Sequence, residues 1–467
     1  MLKKLYLFLL LANISLCLYA AQLIVLNTTD LHGRVNSKHG GILQIAYLIE
    51  QQKKLYPADS ILLIDCGDTI QGTFSSATLQ GALMIKSLNY LKYDAWVVGN
   101  HEFDYPLNVI KKRMDEFSGS SLAANLKNPY LAKEHSSWKI FNKNGIKVAV
   151  IGLTRPGLPK TISYNAALKG IMPEIRAQKP DVIILAQHYG MYGSGFSIYK
   201  FMSEYPEIDL VLGGHSHAKK PGQKIGANTW YFQSAKHARG LGKIIIDYDK
   251  KQKKIIKINS EIIPVTPKTP VDKKLLALLK PELESAKKLS RQKIATIIFK
   301  NTEKIDSSIL EQRIIGQMML KQASADVAVC NDYRSNYKLS GKVNITLQKL
   351  YYWSSYENMI CTLTLDKDTY RKIIVEQKKS RKRNYLTIIS YADKKLFDKK
   401  KKIVATFNSY LVSGAGGRLP FLRSIAKNKK YMLKNTNIIV RNGLKQYLQN
   451  KVFIVSNMNG KITIKEK

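Results

Sequence analysis

Five short polar stretches carry most of the side chains in this chain that could do chemistry. They are "TDLHGR" with Asp30 and His32, "GDTIQG" with Asp68, "GNHEFDY" with Asn100, His101, Glu102 and Asp104, "QHYG" with His188, and "GGHSH" with His215 and His217. Taken one at a time, each is commonplace, because a lone Asp-x-His or His-x-His is often no more than a capped loop. Taken together they supply two carboxylates, one amide oxygen and four imidazoles, besides His101 and Asp104. Mixed nitrogen and oxygen donors suit borderline divalent cations such as Zn, Mn or Fe better than Mg or Ca. Two such cations roughly 3.5–4 Å apart need a ligand in common. Asp68 stands alone in its loop and is the natural bridge.

Ligands scattered over nearly 190 positions can meet only if the fold gathers their loops. Each polar stretch follows a β-rich apolar run: "QLIVLN", "SILLID", "AWVV", "DVIILA" and "DLVL". Between the first two runs, "GGILQIAYLIEQQKKLYP" places Ile42, Ile45, Ala46 and Ile49 at helical spacing. Strands alternating with helices imply an α/β sheet covered on both faces, with the polar loops collected at the strand ends.

These five motifs, in this order, resemble the calcineurin-like metallophosphoesterase superfamily, and within it the exported 5'-nucleotidase family that includes UDP-sugar hydrolases and 2',3'-cyclic-nucleotide phosphodiesterases. The resemblance implies a two-sheet sandwich flanked by helices, followed by a smaller mixed α+β C-terminal domain. It implies Asp30, His32, Asp68 and His217 at one metal, and Asp68, Asn100, His188 and His215 at the other. The catalytic pair falls on His101 and Asp104, and the implied reaction is hydrolysis of a 5'-nucleotide to nucleoside and phosphate through a metal-activated water. Glu102 reads as a residue making backbone contacts, with no catalytic role. His39 and His237 could line the cleft, although surface or packing roles fit them better, and His135 reads as an ordinary loop residue.

Beyond residue 250 the likeness thins. "ADVAVCNDYR" and "LSGKVNITLQKLYYWSSYEN" are similar to the family's substrate segments, which puts Arg334 at the substrate phosphate and Tyr356 with Asn358 at the base. "ATFNSYLVSGAGG" puts Tyr410 opposite Tyr356, as the second face of a nucleobase clamp. The pattern departs where Asn331 and Asp332 replace glycines, Ser355 replaces a proline, and Gly416 stands in place of an aspartate. Where relatives carry further substrate arginines, only Lys300 and Lys304 are found.

The whole chain sets the remaining bounds. With 467 residues it exceeds what one core usually supports. The expected organisation is a signal peptide over 1–21, a catalytic domain over 22–261, a linker helix over 262–293 with Pro281 in or near its first turns, and a substrate-binding domain over 294–467. Lys3 and Lys4, the apolar stretch Leu5–Leu18 and the small residues Ala20 and Ala21 form the export signal; the stretch is short for a membrane span. Leu16 argues against lipid anchoring through Cys17. The expected location is the periplasm or cell envelope, as a monomer without a transmembrane segment.

Cys66, Cys330 and Cys361 are too few for a disulfide framework; Cys330 and Cys361 could pair, but nothing local requires it, and all three read better as buried free thiols. The 75 Lys and Arg against 34 Asp and Glu give a net charge of +41. That field would attract anionic substrates, but the lysines alternate with apolar residues as solvated faces do, so no specific nucleic acid partner is expected. The alternatives are the same metal chemistry on cyclic nucleotides, nucleotide-sugars or non-nucleotide esters, and, from another class, a basic exported binding protein with a vestigial site.

Overall fold

A computed structural model describes residues 20–36, 40–158, 160–193, 196–300, 304–331, 338–379, 386–414, 417, 419–458 and 461–467. Residues 1–19 of the expected signal, with Cys17, thus lie outside the described residues, as do His39, Arg334 and Gly416, whereas Ala20 and Ala21 open the first strand. The chain divides into two compact units, Met1–Ala286 and Lys287–Lys467.

The first unit contains the strands β1 (Ala20–Thr28), β2 (Ile61–Asp65), β3 (Ala95–Val97), β4 (Ser120–Leu122), β5 (Trp138–Lys143), β6 (Ile146–Leu153), β7 (Val182–Gln187), β8 (Tyr192–Gly193), β9 (Phe196–Ser197), β10 (Leu210–Leu212), β11 (Lys220–Lys224), β12 (Trp230–Gln233), β13 (Gly240–Asp249) and β14 (Lys254–Pro264). One six-stranded sheet runs β14-β13-β1-β2-β3-β4 and the other β11-β12-β10-β7-β6-β5. β1 to β4 are parallel, as are β6, β7, β10 and β12, with antiparallel strands at the edges.

The continuous apolar runs are explained by burial on both faces. Successive side chains of a strand point to opposite sides. In β1, Leu23 and Val25 enter a core shared with the other sheet, where Val148, Ile184, Leu210 and Phe232 meet them. Ile24 and Leu26 turn the other way, into a core with the helix Ile42–Leu55 and the helix Ala82–Leu91. β7 does the same in the second sheet: Val182, Ile184 and Ala186 face inward. Ile183 and Leu185 pack under the helices Tyr164–Ala177 and Ile198–Ser203. The result is a two-sheet sandwich with helices on both outer faces. Ile42, Ile45, Ala46 and Ile49 are all buried, as their spacing predicts.

The helix Lys273–Ser290 carries Pro281 well inside it rather than near its start. Its beginning is set by Asp272, whose Oδ1 accepts the Leu275 N–H at 2.7 Å, in the manner of an N-cap. Leu275 and Leu279 bury against the first unit's core. The second unit has a four-stranded sheet, in the order 342–346, 293–299, 451–458, 461–466, and a five-stranded sheet, in the order 386–391, 327–331, 402–408, 359–366, 434–439. It is mixed α and β, with two apolar cores of its own. Cys66, Cys330 and Cys361 are free and buried. Among the described residues no helix is long and apolar enough to cross a membrane.

Candidate metal centre

The polar stretches leave the carboxyl ends of parallel strands, which is where open α/β sheets place their ligands. Asp30 follows β1, Asp68 follows β2, Asn100 follows β3, His188 follows β7, and His215 with His217 follow β10. The first two loops extend the sheet's backbone ladder: Asp30 N–H donates to Gly67 O, His32 N–H to Asp68 O and Gly33 N–H to Thr69 O, each at 2.8 Å. Asp30, His32, Asp68, His215 and His217 all have positive φ, between 50° and 62°. Such backbone is uncommon outside glycine, Asn, Asp and His, and persists where surrounding contacts over-determine it.

Two groups of ligating atoms result, Asp30–His32–His217 and Asp68–His188–His215, each within 4.8 Å of one another. In the first, His217 Nε2 lies 3.2 Å from both Asp30 Oδ1 and His32 Nε2. In the second, His188 Nε2 lies 3.0 Å from Asp68 Oδ2. Asp68 Oδ2 is also 3.9 Å from His32 Nε2, so this carboxylate stands between the groups. The Nδ1–H of His188 donates to Cys66 O at 2.6 Å and that of His32 to Gln71 O at 3.3 Å. A carbonyl only accepts, so Nδ1 of each ring carries a proton and Nε2 is the nitrogen that faces the centre, able to ligate once it is deprotonated.

Asn100 Oδ1 is buried and makes no hydrogen bond, and the buried Asp30 Oδ1 and His188 Nε2 have only His217 and Asp68 of the same set within reach. Buried acceptors without partners destabilise a fold, and here they point at other members of the same set. The donors present therefore fit divalent cations, at Asp30, His32 and His217 on one side and at Asp68, His188 and His215 on the other, with Asn100 adjoining.

The charges are strongly coupled. Burial opposes ionisation of Asp68, but His188 and His101 outweigh it and hold the carboxyl well below its usual range. Burial depresses His188, yet Asp68 wins and raises it to about 10. His32 and His215 are pulled down to about 4 and about 3, chiefly by burial. For His101, burial is outweighed by the Asp68 and Asp104 carboxylates, and it rises to about 9. Its Nδ1 pairs with Asp104 Oδ2 at 2.8 Å, which leaves Nε2 as the ring's outward nitrogen.

Glu102 is fully buried and accepts four backbone N–H groups: Asp68 at 3.0 Å and Gly99 at 2.7 Å on Oε2, Thr69 at 2.7 Å and Ile70 at 3.2 Å on Oε1. One carboxylate thus ties the Asp68 loop to the Asn100 loop. His101 N–H adds a bond to Asp68 Oδ1 at 2.8 Å. Gly99 permits the closeness, since a Cβ there would lie 2.3 Å from Asp68 N and 2.7 Å from Glu102 Oε2. Burial, and then the Asp68 charge, raise the Glu102 carboxyl to about 6.

His237 stands in the cleft, packed against two of the candidate ligands. Its ring stands edge-on to His32 at 5.4 Å and to His217 at 5.6 Å between centroids, and its N–H donates to Asp30 O at 2.7 Å. Lys236, which sequence reasoning missed, has its Nζ 3.1 Å from His217 Nδ1. The available signal was position: both residues follow β12, the next strand beyond β10 in the same parallel sheet. His135 lies in the segment that leads to β5 and belongs to neither triad.

In the second unit, Tyr356 is 52% exposed, while Tyr410 is half-buried against an apolar core. Their segments are joined: Ser409 Oγ donates to Asn358 Oδ1 at 3.3 Å and accepts the Met359 N–H at 3.1 Å. Arg441, also missed, donates from Nη1 to Ser354 O at 3.1 Å and Ser355 O at 3.4 Å and pairs with Glu357, holding the loop that carries Tyr356.

Residues 23–219 match the family profile described as calcineurin-like phosphoesterase. The chain is 27% identical over 375 residues to a 5'-nucleotidase of Vibrio parahaemolyticus, covering 66% of each. It is 26% identical over 299 residues to Protein UshA of Yersinia enterocolitica, covering 54% of this chain and 53% of that one. The alignments thus span about two thirds and about half of these relatives' lengths. Among solved structures, a 5'-nucleotidase precursor from Thermus thermophilus shares the fold, with a TM-score of 0.66, 18% identity, and coverage of 92% of this chain and 96% of that one.

Proposed function

We propose that the chain, whose residues 23–219 match the calcineurin-like phosphoesterase profile, is a metal-dependent hydrolase that converts 5'-nucleotides to nucleoside and phosphate. The observation that supports this most is the convergence of two ligand triads beside the His101–Asp104 pair. Divalent cations would be held by Asp30, His32 and His217 and by Asp68, His188 and His215, and would supply a nucleophile at neutral pH and positive charge for the phosphoryl group.

The chain's own residues do the rest. Asp68 shares its two oxygens between the loops and keeps the triads in register. Asp104 accepts the His101 Nδ1–H, which fixes the ring's orientation and stabilises its protonated form. His101 Nε2 then carries a proton to the departing oxygen of the ester. Glu102 holds the backbone that presents Asp68, Asn100 and His101. In the second unit, Tyr356 and Tyr410 offer aromatic faces to a nucleobase, Asn358 orients it, and Arg334 meets the phosphate. Stacking contributes about 1–3 kcal/mol per base with little regard to base identity, so several mononucleotides should serve. The basic stretch and apolar run ahead of Ala20 support export, and the protein acts as a monomer in the cell envelope.

The test is phosphate release from metal-stripped full-length protein, resupplied in turn with Zn, Mn, Co or Mg. The substrates are 5'-mononucleotides, a 2',3'-cyclic nucleotide, a nucleotide-sugar and an aryl phosphate. Aryl phosphate hydrolysis without nucleotide hydrolysis would transfer the reading to non-nucleotide esters. No hydrolysis with any metal would sink it.

A further inference from the structure

Beside the Asp30–His32–His217 triad stands a group of side chains that the ligand set does not use. His237 Nδ1 and Arg34 Nε are both buried and make no hydrogen bond. Lys236 Nζ, from the same loop as His237, touches His217 Nδ1 at 3.1 Å. Arg34 and Lys236 are near enough to His237 for both charges to act on its imidazole, and no carboxylate figures among the groups that act on it most. The loops are locked together: the His237 N–H is bonded to Asp30 O, and a Cβ on Gly40 would lie 2.6 Å from Ala238 O and 2.7 Å from His237 O.

The signs of the charges decide what this group can hold. An imidazole next in sequence to an ammonium-bearing residue, with a guanidinium acting on it from the Arg34 loop, is a poor place for a further cation and a good one for an anion with several acceptor oxygens. Orphaned buried nitrogens imply a partner that is polar. An ammonium can only donate, so Lys236 now occupies the Nδ1 lone pair of His217. That nitrogen carries a proton whenever Nε2 serves as a ligand, which frees the ammonium for another acceptor.

We infer that Arg34, Lys236 and His237 form an anion-binding rim on the first unit, which takes the phosphoryl oxygens of the substrate and of the inorganic phosphate released. The inference rests on reading the adjoining triads as a phosphoester-hydrolysing centre. It adds recognition residues that the five motifs do not supply as ligands or catalysts.

The experiment uses the full chain and inorganic phosphate as the probe. His237→Phe keeps a ring against His32 and His217 while removing both nitrogens; Lys236→Met keeps the stem and removes the charge. Metal content is measured first, then phosphate affinity by calorimetry. Each variant should retain the wild-type metal content and bind phosphate about tenfold or more weakly, as expected for a lost charge-assisted or buried hydrogen bond. The Michaelis constant should rise more than turnover falls. Phosphate affinity within twofold of wild type in both variants would overturn the inference, as would wild-type protein that does not bind phosphate. Loss of metal in His237→Phe would also overturn it, by moving His237 to the metal centre. The titration needs no substrate, so failure of the nucleotide reading would show separately, as absent nucleotide hydrolysis with phosphate binding intact.

Discussion

Glu102→Gln is the sharpest perturbation of the site's framework, because it changes one atom and keeps the shape. The native carboxylate accepts four backbone N–H groups, two on each oxygen. A glutamine can accept with only one oxygen, so its amide group must face two N–H donors. Two buried donors are then left unpaired, at about 1–3 kcal/mol each, or about 2–6 kcal/mol in all. Removing a charge that Asp68 repels offsets part of this. The net expectation is a loss of about 2–4 kcal/mol, a large share of the roughly 5–15 kcal/mol that holds a domain together. The displaced N–H groups include that of Asp68, so metal affinity should also fall, by about 10–100-fold. Urea unfolding of metal-free protein gives the first quantity, and competition with a chelating dye gives the second. Stability within about 0.5 kcal/mol of wild type, with metal affinity unchanged, would refute the view of Glu102 as the tie between the two loops.

Asp68→Ala should lower turnover beyond the ~10–100-fold typical of outer-shell partners and abolish cooperative uptake of two metals; near-normal turnover with both metals bound is the contrary result. His101→Ala should keep both metals by elemental analysis and lower turnover by about 10²–10⁴, whereas metal loss would make it a ligand. Because His101 and His188 rise to about 9 and about 10 in the metal-free fold, their contribution to stability is fully present below about pH 6.5 and is lost as pH climbs through those values. The melting temperature of metal-free protein should therefore drop between about pH 6.5 and pH 10, more than that of loaded protein; a rise over that window is the opposite sign. Replacing Tyr356 and Tyr410 together with Ala should raise the Michaelis constant for nucleotides about tenfold or more, and leave aryl phosphate hydrolysis nearly unchanged; equal loss on both substrates would assign the tyrosines to the fold.

The strands and the six residues gathered into the two triads were legible because both leave strong local marks. A strand buried on both faces must be apolar at consecutive positions, and "LIVL" and "VIILA" could satisfy little else once the helical spacing of Ile42, Ile45, Ala46 and Ile49 set the alternation. Asp, Asn and His in glycine-bearing loops just past such runs are conspicuous. His237 left no such mark, since its place depends on β12 lying next to β10 in the sheet, a pairing no local pattern reveals. Lys236 was hidden among many lysines for the same reason. Arg441 reaches the Tyr356 loop from 87 positions away in sequence. Pro281 misled because proline is commonest in a helix's first turn; here the start is fixed by Asp272, and the helix accommodates the missing N–H farther along.

The residue types at the site carry two requirements at once. A metal donor must project from a tight turn beyond the strand end, and such turns demand positive φ. Glycine meets that demand freely but has no donor atom; Asp and His are among the few donor-bearing residues that tolerate it. Five candidate ligands sit in that region, where strain costs of order 1 kcal/mol or more apiece. Hydrogen bonds to the backbone help to hold them there: the ladder from Asp30 to Gly33 along Gly67 to Thr69, the four N–H groups on Glu102, and the His215 N–H on Asp30 Oδ2 at 3.1 Å. The strain is thus sustained by backbone hydrogen bonds formed on folding. Binding at these triads then needs little further ordering of the chain, which favours affinity in the same way that a preorganised ligand does.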